Sequence, residues 1–142
     1  MRSIKRWAAA LLAAVLLGCS GCAPAHTTNA PYRVYLISKS TKTEFWKTVF
    51  AGANTAKSEY NVDLTILGPE TEDDFEMQND YIRQATAEGA DAIVYSAISY
   101  TENAQAIDEA IAAGVRVIVI DSDVDSDSVS IRIGTDNVEA GR

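Results

Sequence analysis

The chain has 142 residues, a length that favours one compact domain, and its hydrophobic content of 47% is typical of a globular protein. It carries 20 acidic and 12 basic residues, which gives a formal net charge of −8. Because phosphate binding requires clustered Lys and Arg, this acidic composition without a basic patch argues against nucleic acid as a partner.

The first 22 residues predict an export signal. Arg2, Lys5 and Arg6 are followed by an unbroken apolar run over residues 8–17. That run is about ten residues long, roughly half the length of a helix that crosses a bilayer. A basic start followed by a short apolar core is typical of a secretory signal, so we predict that the protein works outside the cytoplasm.

The end of this signal resembles the lipobox of bacterial lipoproteins. The residues LLGC at 16–19 carry the resemblance, which implies that Cys19 is acylated, becomes the mature N-terminus and anchors the protein to the membrane. Cys22 is the alternative lipidation site, and an ordinary cleaved signal with incidental cysteines is the other interpretation. We therefore predict a lipoprotein signal peptide over 1–22, a polar linker over 23–31 and a folded domain over 32–142.

The predicted domain lacks residue types that many catalytic and metal sites use. The two cysteines lie in the signal, and the single histidine, His26, lies in the linker. The domain therefore has no means of forming a disulfide framework, a Cys-based metal site or a His-containing triad. It also contains no G-x-S-x-G elbow. We expect no metal, no cofactor and no enzymatic activity.

From Arg33 onward, short apolar segments alternate with segments of helical periodicity. The predicted helices are 41–60, 71–88 and 101–113, and a further helix begins at 137. Five strands are predicted between and around them, at 34–37, 62–67, 92–95, 115–120 and 129–133. Near-continuous apolar strands separated by amphipathic helices imply a parallel sheet covered on both faces. The predicted fold class is α/β, a doubly wound parallel sheet with strand order 2-1-3-4-5.

Local signals place the ends and the inward faces of the helices. Thr41 with Glu44 fits a capping box at the start of the first helix. Gly89 and Gly114 each end a helix and precede a buried strand. The segments around them, 87–94 and 112–119, form a local sequence repeat. The predicted inward faces are Trp46, Val49, Phe50, Ala53 and Ala56 in the first helix, and Phe75, Ile82 and Ala85 in the second.

Ligands of open α/β sheets bind beyond the carboxyl ends of the strands. In this chain that rule selects the segments 38–43, 68–72, 96–100, 121–125 and 134–137. Most of them offer hydroxyls, amides or carboxylates, which suit a neutral polyhydroxy compound. Neither a P-loop nor a G-x-G-x-x-G motif is present to bind a phosphate.

Three residues in or near these segments admit two interpretations each. Phe45 and Trp46 either pack in the core or form an aromatic wall on which a sugar ring stacks. Asp121 either accepts two hydroxyl hydrogen bonds from a sugar or serves as a helix cap or solvated turn. The alternating acids over 121–127 suggest calcium but fail the EF-hand pattern, so we interpret them as an acidic surface loop.

Several motifs, in this order and spacing, resemble the ribose/galactose-type periplasmic binding proteins, which are solute-binding components of ABC sugar transporters. The resemblance covers residues 32–142. It is carried by FW at 45–46 with AGA at 51–53, GADAI at 89–93, GVRVIVID at 114–121, and IGTDN at 133–137 with AG at 140–141.

This resemblance implies a protein with two similar lobes joined by a hinge, which trap a sugar between them. It implies that the domain is the N-terminal lobe, and we expect the sequence to be a fragment of a two-lobed protein. It further implies that Phe45 and Trp46 stack on the sugar and that Asp121 bonds its hydroxyls. The other implied polar contacts are Ser38, Thr43, Ser96 and Thr135.

The chain also departs from the pattern of ribose binders. They usually carry Asn before the aromatic pair and Arg after the aspartate of the fourth strand, where this chain has Thr43 and Ser122. After the third strand, this chain has Ser96 at a position where the family pattern has an Asn-like residue. These departures argue against ribose as the ligand.

The leading functional hypothesis is a non-enzymatic, membrane-anchored receptor of the cell envelope that delivers a sugar to an ABC transporter permease. The alternative is a sensory receptor of the same fold that presents a ligand to a membrane kinase or chemoreceptor. A small α/β hydrolase is disfavoured by the missing catalytic residue types. A cytoplasmic repressor of the same fold is excluded by the export signal and by the absence of a helix-turn-helix segment.

Overall fold

The computed structural model describes residues 31–142, so the predicted signal, both candidate lipidation cysteines and His26 lie outside the described residues. Each predicted strand and helix is present. In chain order they are β1 Arg33–Ile37, α1 Glu44–Tyr60, β2 Asp63–Leu67, α2 Phe75–Ala87, β3 Ala92–Tyr95, α3 Ala104–Ala112, β4 Arg116–Ile120, β5 Ile131–Ile133 and α4 Asn137–Ala140. Within this part of the chain, no helix has both the length and the apolar character to span a bilayer.

The five strands form one sheet of order β2-β1-β3-β4-β5, in which every neighbouring pair is parallel, as predicted. The register places Ile37, the last residue of β1, beside Leu67 of β2 and Tyr95 of β3. Tyr95 in turn lies beside Val119 of β4. The carboxyl ends of the strands therefore meet at one edge of the sheet, which brings the segments that follow them together.

One face of the sheet packs against α2 and α3 and forms the core. Side chains alternate between the two faces of a strand, so every second strand residue points into this core. The buried strand residues on this face are Tyr35, Ile37, Ile93, Tyr95, Val117 and Val119, and they pack with Ile82, Ala85, Ala106, Ile107 and Ala110 of the two helices.

The opposite face is covered by α1 less completely than its periodicity predicts. Trp46 is buried, but Val49, Phe50 and Ala53 are half-buried and Ala56 is exposed. An apolar groove of about 360 Å³ runs between α1 and the sheet and is lined by residues that include Val34, Leu36, Ala53, Val94 and Ile120. Ala56 also lines this groove and therefore faces the sheet as predicted, but it is exposed because α1 leaves the groove open instead of closing against the sheet.

The predicted capping box at the start of α1 is wrong. The helix begins at Glu44, with Thr43 as its N-cap residue in an extended conformation. The Thr41 hydroxyl and the Thr41 amide both donate to the carbonyl oxygen of Pro69, at 3.2 and 2.9 Å. Thr41 thus fastens the segment after β1 to the segment after β2, a long-range contact that local spacing does not reveal.

The end of α3 depends on a residue that tolerates a left-handed backbone. Gly114 has a φ of 95°, and a methyl group added there would meet no described atom within 4 Å. We expect Gly114→Ala to lower the free energy of unfolding by about 1 kcal/mol or more through backbone strain alone. Urea denaturation would measure the loss. Gly114→Asn should lose less, because Asn adopts this conformation more readily, and equal losses would contradict the explanation.

Candidate functional site

The site is built around the carboxylate of Asp121, which follows β4. Its Oδ2 accepts from Ser96 Oγ at 3.2 Å and from Ser122 Oγ at 3.1 Å, and it lies 3.1 Å from Lys39 Nζ. Lys39 Nζ also donates to Ser122 Oγ at 2.8 Å. We call Lys39, Ser96, Asp121 and Ser122 the Asp121 cluster. It joins the carboxyl ends of β1, β3 and β4.

The backbone at Asp121 turns sharply out of the sheet. Its φ of 61° is in the left-handed region, where Asp is better tolerated than most residues but still stores strain of about 1 kcal/mol or more. The Asp121 amide donates to the carbonyl of Ile133 at 3.1 Å, which holds the turn against β5. The carboxylate therefore bonds an ammonium group and two hydroxyls in the loops and does not cap a helix.

The surroundings keep Asp121 ionised. Partial burial acts to raise the pKa of its carboxyl group, but the hydrogen bond and charge of Lys39 and the hydroxyls of Ser122 and Ser96 outweigh it, so the pKa lies below its usual value. The Asp121 side chain is 41% exposed, whereas that of Lys39 is 21% exposed. An ionised carboxylate thus faces solvent with acceptor capacity to spare, which suits hydroxyl donors.

This ion pair has a testable pH dependence. The pKa of Asp121 is depressed in the folded state, so the pair contributes stability above the unfolded pKa of about 3.9, and the contribution is lost as pH falls through the folded pKa. We expect Lys39→Met to raise the pKa of Asp121 in a carboxyl NMR titration. Lys42→Met is the control, because Lys42 pairs with Glu70 at a more exposed position. An unchanged Asp121 pKa in Lys39→Met would contradict the assignment.

A pocket of about 350 Å³ opens beside the cluster, at the carboxyl ends of β4 and β5. This volume falls within the range of small-molecule sites. Asp121 and Thr135, which the sequence predicts as ligand contacts, both line it. Asp123 also lines it and accepts from Arg132 Nε at 2.8 Å. The pocket walls thus combine carboxylate, hydroxyl and guanidinium groups.

The two aromatic residues at the start of α1 have different environments. Trp46 is 0% exposed, and its Nε1 donates to Glu72 Oε1 at 3.1 Å. Phe45 is 58% exposed and meets the Trp46 ring edge to face, with centroids 5.1 Å apart. Trp46 is therefore a core residue that supports Phe45, and Phe45 presents the exposed ring of the pair.

The remaining predicted contacts also differ in exposure. Thr43 is exposed at the start of α1. Ser38 and Ser96 are fully buried, and the Ser38 hydroxyl donates to the carbonyl of Ser40 at 2.9 Å. The structure therefore brings Ser96, Asp121 and Thr135 to one edge, whereas Ser38 faces inward.

Sequence reasoning did not identify Lys39 or Gln78. Lys39 lies in the segment after β1 that the strand-end rule selected, so its place was predictable but its contact with Asp121 was not. Gln78 is fully buried on the inward face of α2, three residues after Phe75 and four before Ile82. Its helical position was the available signal, although a polar side chain is uncommon on such a face.

The acidic loop after β4 does not form a cation site in the structure. Within residues 31–142, no group of three or more His, Cys, Asp or Glu side chains is arranged to hold a metal ion. Asp123 pairs with Arg132, and Asp121 pairs with Lys39.

Comparison with solved structures finds similar proteins that bind sugars. A carbohydrate transporter solute binding protein from Agrobacterium radiobacter, in complex with D-arabinose, is 32% identical with a TM-score of 0.75, over 80% of this chain and 38% of that one. A sugar transporter from Clostridium phytofermentans is 35% identical with a TM-score of 0.73, over 78% and 41%. An ABC transporter solute binding protein from Agrobacterium vitis with bound D-fucose is 26% identical with a TM-score of 0.72, over 77% and 39%.

A comparison with curated protein sequences gave no match. The chain spans about two fifths of the length of the solved structures described above. The family model for the periplasmic binding protein domain matches residues 34–142, which is nearly the whole described part of the chain. The resemblance inferred from the motifs is thereby confirmed, and the chain belongs to the periplasmic binding protein domain family.

Proposed function

We propose that this chain forms a sugar-binding lobe of an extracytoplasmic receptor that delivers its ligand to an ABC importer. The observation that carries the proposal is the ionised Asp121 carboxylate beside a polar pocket of about 350 Å³. Relatives with this fold hold D-arabinose and D-fucose, so we propose a neutral pentose or hexose as the ligand.

The chemistry of the site supports a polyhydroxy ligand. A carboxylate accepts short, strong hydrogen bonds from hydroxyls, and Asp121 is partly exposed to receive them. The neighbouring ammonium of Lys39 balances its charge, so the cluster as a whole suits a neutral ligand. Phe45 presents an exposed ring on which the C–H groups of a sugar could pack.

We further propose that a second lobe completes the site and closes over the sugar, as the resemblance implies. Family membership supports an exported protein. The sequence of residues 1–22 supports attachment to the membrane through lipidated Cys19, with Cys22 as the alternative. We propose that the protein binds the sugar without converting it.

A thermal-shift screen of the full-length protein tests the proposal. We expect D-arabinose, D-fucose or a related neutral sugar to raise the melting temperature, because a ligand at a hundred times its Kd stabilises the folded state by about 2.7 kcal/mol. D-Ribose should give a smaller shift. If none of these sugars raised the melting temperature, the sugar assignment would be wrong, and conversion of the sugar during incubation would contradict the non-enzymatic role.

A further inference from the structure

The side-chain amide of Gln78 links the carboxyl ends of two neighbouring strands. Its Nε2 donates to the carbonyl oxygens of Ser38 and Ser96, at 3.0 and 2.9 Å. Its Oε1 accepts from the Tyr95 hydroxyl at 2.7 Å and from the Ile98 amide at 3.0 Å. Ser38 directly follows β1 and Ser96 directly follows β3, so one side chain of α2 holds both strand ends.

This arrangement uses the full capacity of the amide. A glutamine side chain has two donor hydrogens and two acceptor lone pairs, and all four are engaged here. Burial raises the pKa of Tyr95, which keeps its hydroxyl protonated as the donor to Gln78. The four partners fix the amide in one orientation, and they would lose their bonds inside the core if Gln78 were apolar.

The two strand ends that Gln78 holds also carry residues of the Asp121 cluster. Lys39 follows Ser38, and the Ser96 hydroxyl itself donates to Asp121 Oδ2. We propose that Gln78 is a positioning residue for ligand binding, which sets the spacing of the β1 and β3 ends so that Lys39 and Ser96 meet Asp121. Its effect on sugar affinity rests on the proposed function, whereas its effect on Asp121 does not.

A purely structural role for Gln78 makes a different prediction. In that case a substitution lowers stability but leaves the Asp121 cluster and the affinity unchanged. Ile82→Val provides the matched control, since Ile82 is equally buried on the same face of α2, one turn further along. This control should lower the melting temperature and leave both the Asp121 pKa and the sugar affinity unaltered.

The first test uses Gln78→Leu in the full-length protein, measured well below its melting temperature. We expect the sugar affinity to fall about tenfold, equivalent to about 1.4 kcal/mol. We also expect the pKa of Asp121 to rise in a carboxyl NMR titration without sugar, because Lys39 and Ser96 move away from it. A folded Gln78→Leu protein with an unchanged Asp121 pKa would overturn the positioning role, whether or not any sugar binds.

The second test uses Gln78→Glu, which keeps the shape of the side chain. Ionised, this residue has no donor for the carbonyls of Ser38 and Ser96, and burial raises its pKa. Once protonated, it regains one donor. We expect the Asp121 carboxyl resonance to differ most from that of wild type at pH 8, where the new carboxyl is ionised, and to return toward it as pH falls to about 5.5. Sugar affinity should recover over the same range, in which Asp121 itself stays ionised.

The outcomes separate the two proposals. Wild-type protein that binds no sugar would overturn the proposed function, and the Asp121 titrations would still decide the role of Gln78. If Gln78→Leu does not fold, Gln78→Glu decides alone, and an Asp121 carboxyl resonance equal to that of wild type at pH 8, where the new carboxyl is ionised, would overturn the inference. Wild-type protein that binds sugar, with variants that bind it equally well, would overturn only the effect of Gln78 on affinity.

Discussion

Asp121→Asn is expected to lower sugar affinity by about tenfold to a hundredfold. Hydrogen bonds to a charged group contribute about 1.5–3 kcal/mol, and the substitution removes the charge while leaving Lys39 without its partner. Asn is the appropriate replacement, because it tolerates the φ of 61° better than Ala does. Isothermal titration with the sugar identified by the thermal-shift screen would measure the loss.

The control for this prediction is Asp127→Asn in the same acidic loop. Asp127 is exposed and does not line the pocket beside the cluster. The two substitutions make the same change in net charge, so a general electrostatic effect would weaken binding equally in both. Affinity that falls equally in the two variants, or in neither, would remove Asp121 from the site.

Gly68→Ala is expected to lower the free energy of unfolding by about 1–3 kcal/mol, the usual cost of overpacking. A methyl group at Gly68 would lie 2.5 Å from Ser38 Oγ and 3.0 Å from the Ser38 carbonyl oxygen. That carbonyl also accepts from Gln78, so the strain falls on the end of β1 beside the site. Urea denaturation of the full-length protein would measure the change.

The matched control is Gly52→Ala in α1. A methyl group there would meet no atom of residues 31–142 within 4 Å. Because Ala favours a helix over Gly by about 1 kcal/mol, this variant should be as stable as wild type or more stable. Equal losses in the two variants would show that the close approach at Gly68 is not the cause.

The elements and the strand order were predictable because they depend on local patterns. The apolar run of β4 and the glycine at the end of α3 act over a few residues, and parallel strands joined by helices allow few topologies. The strand-end rule also selected the segments that contain Asp121 and Thr135. The start of α1 was not predictable from Thr41, since that residue bonds Pro69 in another loop.

The different roles of Phe45 and Trp46 could likewise not be predicted from local sequence patterns. Both lie in the first turn of the helix, and both are large aromatic residues that suit either a core or a ligand wall. The tertiary structure buries Trp46 against Glu72 and leaves Phe45 exposed. Adjacent helical residues point in directions about 100° apart, but only the packing of the sheet decides which direction is the core.

The sequence by itself determined the fold class, the strand order and the family. Apolar strands separated by amphipathic helices predict the first two, and the order and spacing of short motifs indicate the family. Only the tertiary structure decided which side chains meet. Lys39 and Ser122 are 83 residues apart, and Gln78 and Ser38 are 40 apart, yet each pair is hydrogen-bonded. Such contacts form when parallel strands align their carboxyl ends, and the identity of each partner depends on the register of the whole sheet.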